Sequence, residues 1–206
     1  MNSKHAHWEN VYQTKSSDGV SWYCEHLTKS LQLIKQSASS NTASIIDVGG
    51  GHATLVDDLL DEGFDNVSVL DISATAIAAS KKRLGDRASQ VTWLVGDITN
   101  IALSAQQYDI WHDRAVFHFL TEREQREAYV KQVARSVKLG GYVIVATFGE
   151  NGPVKCSGLD VVRYNANMLH REFGNRFELI GSTTELHQTP FNTTQQFLYC
   201  YFKVVK

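Results

Sequence analysis

The sequence predicts an α/β protein, an open and mostly parallel sheet with helices on both faces. Three observations predict it. A β-branched apolar run at 45–48 breaks into Gly49, Gly50 and Gly51, and an amphipathic segment from Leu55 to Glu62 follows. That change from strand to helix patterning across a glycine turn reads as the opening of a Rossmann-like unit. Further apolar runs of strand length then alternate with helical segments, the pattern of a parallel sheet with crossover helices. Finally, acids stand at three successive strand ends, Asp47, Asp71 and Asp97. In open α/β sheets those ends form the ligand crevice.

The elements follow in order. Residues 26–35 read as a helix covering the sheet, and Ser37 to Ser44 is a polar bridge to the first strand. The second strand, Asn66 to Leu70, ends at Asp71, and Ser73 caps a helix through Leu84. The third strand is Val91 to Val95, before Gly96-Asp97-Ile98; the fourth is Tyr108 to His112, running into Asp113 and Arg114. Thr121-x-x-Glu124 has the form of a capping box opening a helix from Glu122 to Val137. Leu139-Gly140-Gly141 reads as a turn before the strand Tyr142 to Phe148. Asn165 to Phe173 is a short helix. Two strands remain, Phe177 to Leu186 and Phe197 to Val205, joined through Gln188 to Thr194 as an antiparallel hairpin. Phe197, Leu198, Tyr199, Tyr201 and Phe202 are apolar or aromatic on both faces, as a central strand requires.

Composition sets bounds. A chain of 206 residues fits one domain, residues 1–206, with a full core. A net charge of −2 without a basic block argues against a nucleic-acid backbone as partner. No apolar run approaches the ~18 residues of a membrane span, and the N-terminus lacks signal-peptide character. Cys24, Cys156 and Cys200 make neither a zinc pattern nor a disulfide framework. The expectation is a cytoplasmic protein without a metal, a monomer or weak homodimer.

The glycine turn narrows the ligand. Asp47 lies on the strand just before it, and Thr54 stands where the dinucleotide fingerprint has its third glycine. A carboxylate there repels a pyrophosphate. It suits S-adenosylmethionine (SAM), which has no phosphate and carries an ammonium and a sulfonium. Asp71, 22 residues after Gly49 with Ile72 beside it, is in register for ribose hydroxyls. Asp97 can accept from the adenine amino group, and Ile98 can cover the ring. Singly, each acid also reads as a turn former or helix cap.

With Asp47-Val48-Gly49-Gly50-Gly51, Asp71, Gly96-Asp97-Ile98 and Leu139-Gly140-Gly141 in place, the chain resembles the class I SAM-dependent methyltransferases over most of its length. The resemblance implies a seven-stranded sheet of order 3-2-1-4-5-7-6 with the last strand antiparallel. In Trp8-Glu9-Asn10-Val11-Tyr12 and Trp22-Tyr23 it is nearest to the elongation-factor lysine methyltransferases, where such aromatics close over SAM. Those relatives, like thiopurine methyltransferases, carry Asp-Lys-Gly or Asp-Arg-Gly after the fourth strand; this chain has Asp113-Arg114-Ala115. The resemblance therefore adds Trp8, Tyr12, Trp22 and Arg114 to the cofactor side, and makes residues 1–40 a helical lid.

The acceptor side carries His112, Asp113 and Arg114 at the end of the fourth strand, then His118. Arg114 can hold a carboxylate of cofactor or acceptor; its alternative is an ion pair with a neighbouring acid. His112 and His118 read either as bases or as packing histidines. The glycine-rich loop 149–158 brings Cys156, and His187 lies at the rim of the hairpin turn. His118, Cys156 and His187 are the expected acceptor residues, for a small thiol or hydroxyl that must lose a proton. The alternatives are a protein-lysine methyltransferase and an inactive SAM-binding protein; Asp47 and the missing glycine count against a nicotinamide oxidoreductase.

Overall fold

The computed structural model describes residues 3–16 and 18–206. Seven strands form one sheet: β1 Ile45–Val48, β2 Val67–Asp71, β3 Val91–Val95, β4 Tyr108–Arg114, β5 Val137–Phe148, β8 Phe177–Gln188 and β9 Thr194–Val204. Two short strands, β6 Lys155–Cys156 and β7 Leu159–Asp160, form a separate ribbon. The order is β3-β2-β1-β4-β5-β9-β8. β9 runs antiparallel to both its neighbours and the first five strands are parallel. With the ribbon set aside, this is the expected 3-2-1-4-5-7-6.

Among the described residues six α-helices surround the sheet: α1 Ser3–Thr14, α2 Thr28–Ser37, α3 Leu55–Asp61, α4 Ala74–Leu84, α5 Arg123–Ser136 and α6 Ala166–Phe173. β1 and β2 are buried along their whole length, as strands covered on both faces must be. One face packs Trp111, Tyr129, Phe117 and Phe173; the other packs Ile34, Leu55, Ile110, Ile144 and Phe148. α2 belongs to that second core through Leu33 and Ile34, so it is a wall of the sheet and not part of a lid. No helix among the described residues is long and apolar enough to cross a membrane.

Local rules account for most boundaries. Ser73 Oγ accepts from the Ala76 N–H at 3.1 Å, so the expected cap forms, and Asn165 Oδ1 caps α6 in the same way, accepting from the Met168 N–H at 2.9 Å. The capping box at Thr121 does not. α5 starts at Arg123 without a side-chain cap, and the Arg126 guanidinium instead takes the Leu120 and Thr121 carbonyls at 3.2 and 2.8 Å. The expected turn at Leu139-Gly140-Gly141 is a bulge within β5. Val137 pairs Tyr108, the next pair is Tyr142 with Ile110, and Gly140 takes φ +80° in between. The hairpin strands run longer than expected, closing through residues 189–193. In the loop after β5, Ser157 and Gly158 both have positive φ (50° and 80°), the geometry of a tight hairpin turn, and β6–β7 forms there.

Ala115 holds φ +74°, a left-handed conformation that costs a residue with a Cβ roughly 1–2 kcal/mol. The resembling families place a glycine here, and the backbone gives the reason. Ala115→Gly should therefore be neutral or stabilising in urea unfolding, against the loss of about 0.5–1 kcal/mol usual for Ala→Gly in a regular element. A loss of that size would show that the backbone relaxes and stores no strain here.

A cofactor crevice at the strand ends

The parallel strands end together, and a cavity of about 810 Å³, counting its open mouth, lies between those ends and α1. Its floor is Val48, Gly49, Leu70 and Asp71. Ile72, Asp97 and Ile98 form one side, Arg114, Ala115 and Val116 the other, and Trp8, Tyr12, Trp22 and Cys156 also line it. Gly49 takes φ +76°, and a Cβ there would come within 2.1 Å of the Val116 side chain. Gly51 is constrained differently: a Cβ would meet the Asp71 carboxylate at 2.6 Å, so its smallness serves packing inside the turn.

Asp71 is buried, with one carboxylate oxygen accepting from the Gly51 N–H at 3.0 Å and the other from the Ser73 N–H at 2.8 Å. Burial pushes its pKa up to about 6, against the pull of those two N–H groups. Asp97 Oδ1 accepts from the Thr99 N–H and hydroxyl at 2.9 and 2.7 Å. Both acids line the cavity, and a carboxylate is the acceptor that nucleoside hydroxyl and amino groups require.

A second, smaller cavity continues past the glycine turn, lined by Asp47, Gly50, His52, His112 and Arg114 among others. Asp47 and His112 are register partners on β1 and β4, and the His112 Nδ1–H donates to Asp47 Oδ1 at 2.7 Å. Asp47 Oδ2, His112 Nε2 and Arg114 Nη2 are buried without a hydrogen-bond partner among the described residues. Unpaired buried polar atoms are costly, and where they line a cavity a ligand can satisfy them. An unsatisfied carboxylate oxygen and an unsatisfied guanidinium N–H on one cavity complement the ammonium and carboxylate of an amino-acid moiety. The residues therefore fit SAM at both ends, nucleoside and methionine.

The expected residues divide. Asp113 does not reach the crevice: its carboxylate accepts from the Val116 and Phe117 N–H groups at 2.8 and 3.1 Å and from the Tyr129 hydroxyl at 2.6 Å. It points to the opposite face of the sheet from its neighbours His112 and Arg114, as successive strand residues do. His118 is fully enclosed against Phe119 and Phe148; its Nδ1 accepts from the Phe148 N–H at 3.1 Å, and burial pushes its pKa down to about 3. It is a packing histidine, not a base at the cavity. His187 is buried, and its Nε2–H donates to the Ser21 carbonyl at 2.9 Å, tying the N-terminal segment to the hairpin. Of the three expected acceptor residues, Cys156 lines the cavity.

Sequence reasoning missed several residues. Phe119 and Leu120 line the cavity from the 3-10 turn Phe117–Phe119 and its exit, and Lys4 lines it from α1. Glu9 accepts from the Ala74 N–H at 2.6 Å, fastening α1 to the start of α4. Trp8, Tyr12 and Trp22 pack on one another with ring centroids 5.7–6.5 Å apart. Glu9 lay in plain sight between the two aromatics, but nothing local announced its partner.

Asp71 sets an expected pH dependence. A carboxylate accepts from two hydroxyls, and its protonated form loses part of that capacity. SAM affinity should therefore fall as pH drops through about 6, and Asp71→Asn should flatten the profile. Asp71→Ala should weaken binding by roughly one to two decades, from ~1.5–3 kcal/mol per charge-assisted bond at ~1.4 kcal/mol per decade. Calorimetry showing unchanged affinity in the folded variant would remove Asp71 from the nucleoside site.

Residues 45–141 match the family described as a methyltransferase domain. The human EEF1A lysine methyltransferase 2 is 23% identical over 155 residues, 68% of this chain and 66% of that protein. The mouse eEF1A lysine and N-terminal methyltransferase is 24% identical over 141 residues, 66% of this chain and 20% of that protein. The chain thus spans just under two thirds of the first relative and a fifth of the second. Among solved structures, the N-methyltransferase NodS from Bradyrhizobium japonicum WM9, in complex with S-adenosyl-l-homocysteine, superposes with a TM-score of 0.72 at 17% identity, covering 96% of this chain and 100% of that one. A structure described as the conversion of a disulfide bond into a thioacetal group during echinomycin biosynthesis reaches 0.80 at 16% identity, covering 98% and 92%. At these identities the structural likeness speaks for the fold, and the matched domain speaks for the chemistry. Residues 45–141 thus match a methyltransferase domain, the fold is that of the SAM-dependent methyltransferases, and the residues of the crevice fit SAM as the cofactor.

Proposed function

We propose that this methyltransferase acts on a small acceptor through a thiol sulfur or hydroxyl oxygen, held between Trp8, Trp22, Phe119 and Cys156. The observation that carries this reading is the covered mouth of the crevice. α1 crosses it and is fastened on both sides, by Glu9 to the first N–H groups of α4 and by the Lys4 ammonium to the Phe119 carbonyl and Gln125 Oε1, each at 2.9 Å. What lies beneath is mostly aromatic and apolar, with room for a nucleoside and a compact partner. A lysine side chain on a folded protein would need that cover displaced.

The cofactor supplies an electrophilic methyl group whose leaving sulfur needs no proton. The chain's work is then alignment and exclusion of water. In this reading Asp71 and Asp97 hold the nucleoside, Asp47 and Arg114 the amino-acid end, and Gly49 the close approach between them. Cys156 keeps its proton near neutral pH, because burial pushes the thiol up to about 11. It therefore lines the acceptor space as a soft, neutral wall and takes no proton. A thiol acceptor ionises readily near neutral pH and an alcohol does not, so sulfur is favoured over oxygen. The echinomycin neighbour, whose described chemistry is at sulfur, supports the same preference.

A second reading follows from the curated relatives, which are eEF1A lysine methyltransferases. One experiment separates the two: methyl-labelled SAM offered with thiophenols, phenols, primary amines and purified elongation factor 1A. Label on a small thiol or hydroxyl is the expected result. Label confined to a protein lysine would replace the small-acceptor reading.

The covering segment is proposed as a lid within residues 1–40, made of α1 and the strap to Glu25, in a single domain of 1–206. Trp8 and Trp22 give it an intrinsic fluorescence signal. Glu9→Ala should speed SAM dissociation roughly tenfold, about one charge-assisted hydrogen bond, with little change in melting temperature without ligand. An unchanged off-rate would make α1 a fixed packing element.

A further inference from the structure

Arg114 is held unusually for a guanidinium at a ligand site. Its Nε–H donates to the Tyr199 hydroxyl at 3.2 Å and Nη1 to the Trp22 carbonyl at 3.2 Å, while its Cζ lies 4.1 Å from the centroid of Phe197. Tyr199 in turn donates its hydroxyl proton to Glu185 Oε2 at 3.2 Å, and its oxygen lies 3.3 Å from Ser30 Oγ. Among the described residues no carboxylate pairs with Arg114 directly. Nη2 is left buried and unpartnered.

The β-hairpin builds this support. Phe197 and Tyr199 are two apart on β9 and share a face, and Glu185 on β8 is the register partner of Phe197. Tyr199 and Phe197 are fully buried, so their placement is fixed by packing. Burial also holds the Tyr199 phenol protonated, which keeps its O–H available to Glu185. A direct Arg114–Glu185 ion pair would neutralise the guanidinium and compete with a ligand anion for its N–H groups. The phenol stands between them as a spacer. It spreads the acid's charge toward Nε and fixes the plane of the guanidinium, while Nη2 stays unpartnered among the described residues on a side chain that lines both cavities.

We propose that Tyr199 and Glu185 are positioning residues that aim Arg114 at the carboxylate of the cofactor's amino-acid end. This rests on the reading that Arg114 receives that carboxylate. The test is calorimetric binding of two probes to the full chain: S-adenosylhomocysteine, which carries the carboxylate, and 5′-methylthioadenosine, which lacks the amino-acid end. Tyr199→Phe should weaken S-adenosylhomocysteine about tenfold, or about 1.4 kcal/mol, and leave 5′-methylthioadenosine within about twofold. A merely structural role would weaken both alike, and that outcome overturns the proposal. Glu185→Ala, on a half-exposed side chain, provides the same discrimination if Tyr199→Phe does not fold. Glu185→Gln, which still accepts from the phenol, should retain most of the affinity that Glu185→Ala loses; equal losses would overturn the relay. Arg114→Met separates the two levels. If it leaves the preference between the probes intact, the carboxylate reading of Arg114 fails. If it abolishes the preference while Tyr199→Phe and Glu185→Ala do not, the positioning role alone fails.

Discussion

The rest of the site depends on how the chain leaves β4, and that exit is held by one buried carboxylate. Asp113 receives the Val116 and Phe117 N–H groups and the Tyr129 hydroxyl. Burying a carboxylate is costly unless it is hydrogen-bonded, and three donors meet that requirement. The same bonds force the turn that puts Ala115 in the left-handed region. They set Val116 against Gly49, so that the two loops of the crevice fit with no room for a Cβ between them. They also start the 3-10 turn whose Phe119 packs edge-on against Trp8 of the covering helix at 5.0 Å. Burial raises the Asp113 pKa to about 6 despite these donors, so desolvation remains the largest influence on it.

The strand pleat explains how four consecutive residues serve the two faces of the sheet. Trp111 and Asp113 face α5, where both meet Tyr129. His112 and Arg114 face the other way, toward Asp47 and the second cavity. The sequence places His112, Asp113 and Arg114 together as site residues at the end of the fourth strand. Adjacency in a strand separates side chains by a whole sheet.

What was legible in the sequence was local. The glycine turn, the acid at the end of β2, the Ser73 cap and the hairpin rest on short-range periodicity and on turn chemistry. The strand order followed from a resemblance rather than from any pattern in the chain. What was not legible depends on contacts between distant residues. Glu9 finds its N–H donors 65 residues on, and Tyr199 meets Arg114 across 85. His118 reads as a base because histidine titrates near neutrality, but Phe119 and Phe148 pack against its ring and it is fully buried. Cys156 reaches the cavity because Ser157 and Gly158 fold the loop back into a ribbon, a geometry the small polar residues permitted but did not demand.

The start of α4 joins the covering helix to the nucleoside site. A helix leaves its first N–H groups without internal partners, and each needs an acceptor. Here three side chains divide them. Asp71 takes the N–H of Ser73, the Ser73 hydroxyl takes that of Ala76, and Glu9 takes those of Ala74 and Thr75. Two of the three acceptors are acids, placed where the helix dipole favours negative charge. One comes from the floor of the crevice and the other from its cover. Moving α1 away strips Ala74 and Thr75 of their acceptor and leaves the positive end of the helix to Asp71 alone. That shifts the field on the very carboxylate that can accept from a ribose. The covering helix and the nucleoside site therefore share a single helix terminus, with Glu9 on one side of it and Asp71 on the other.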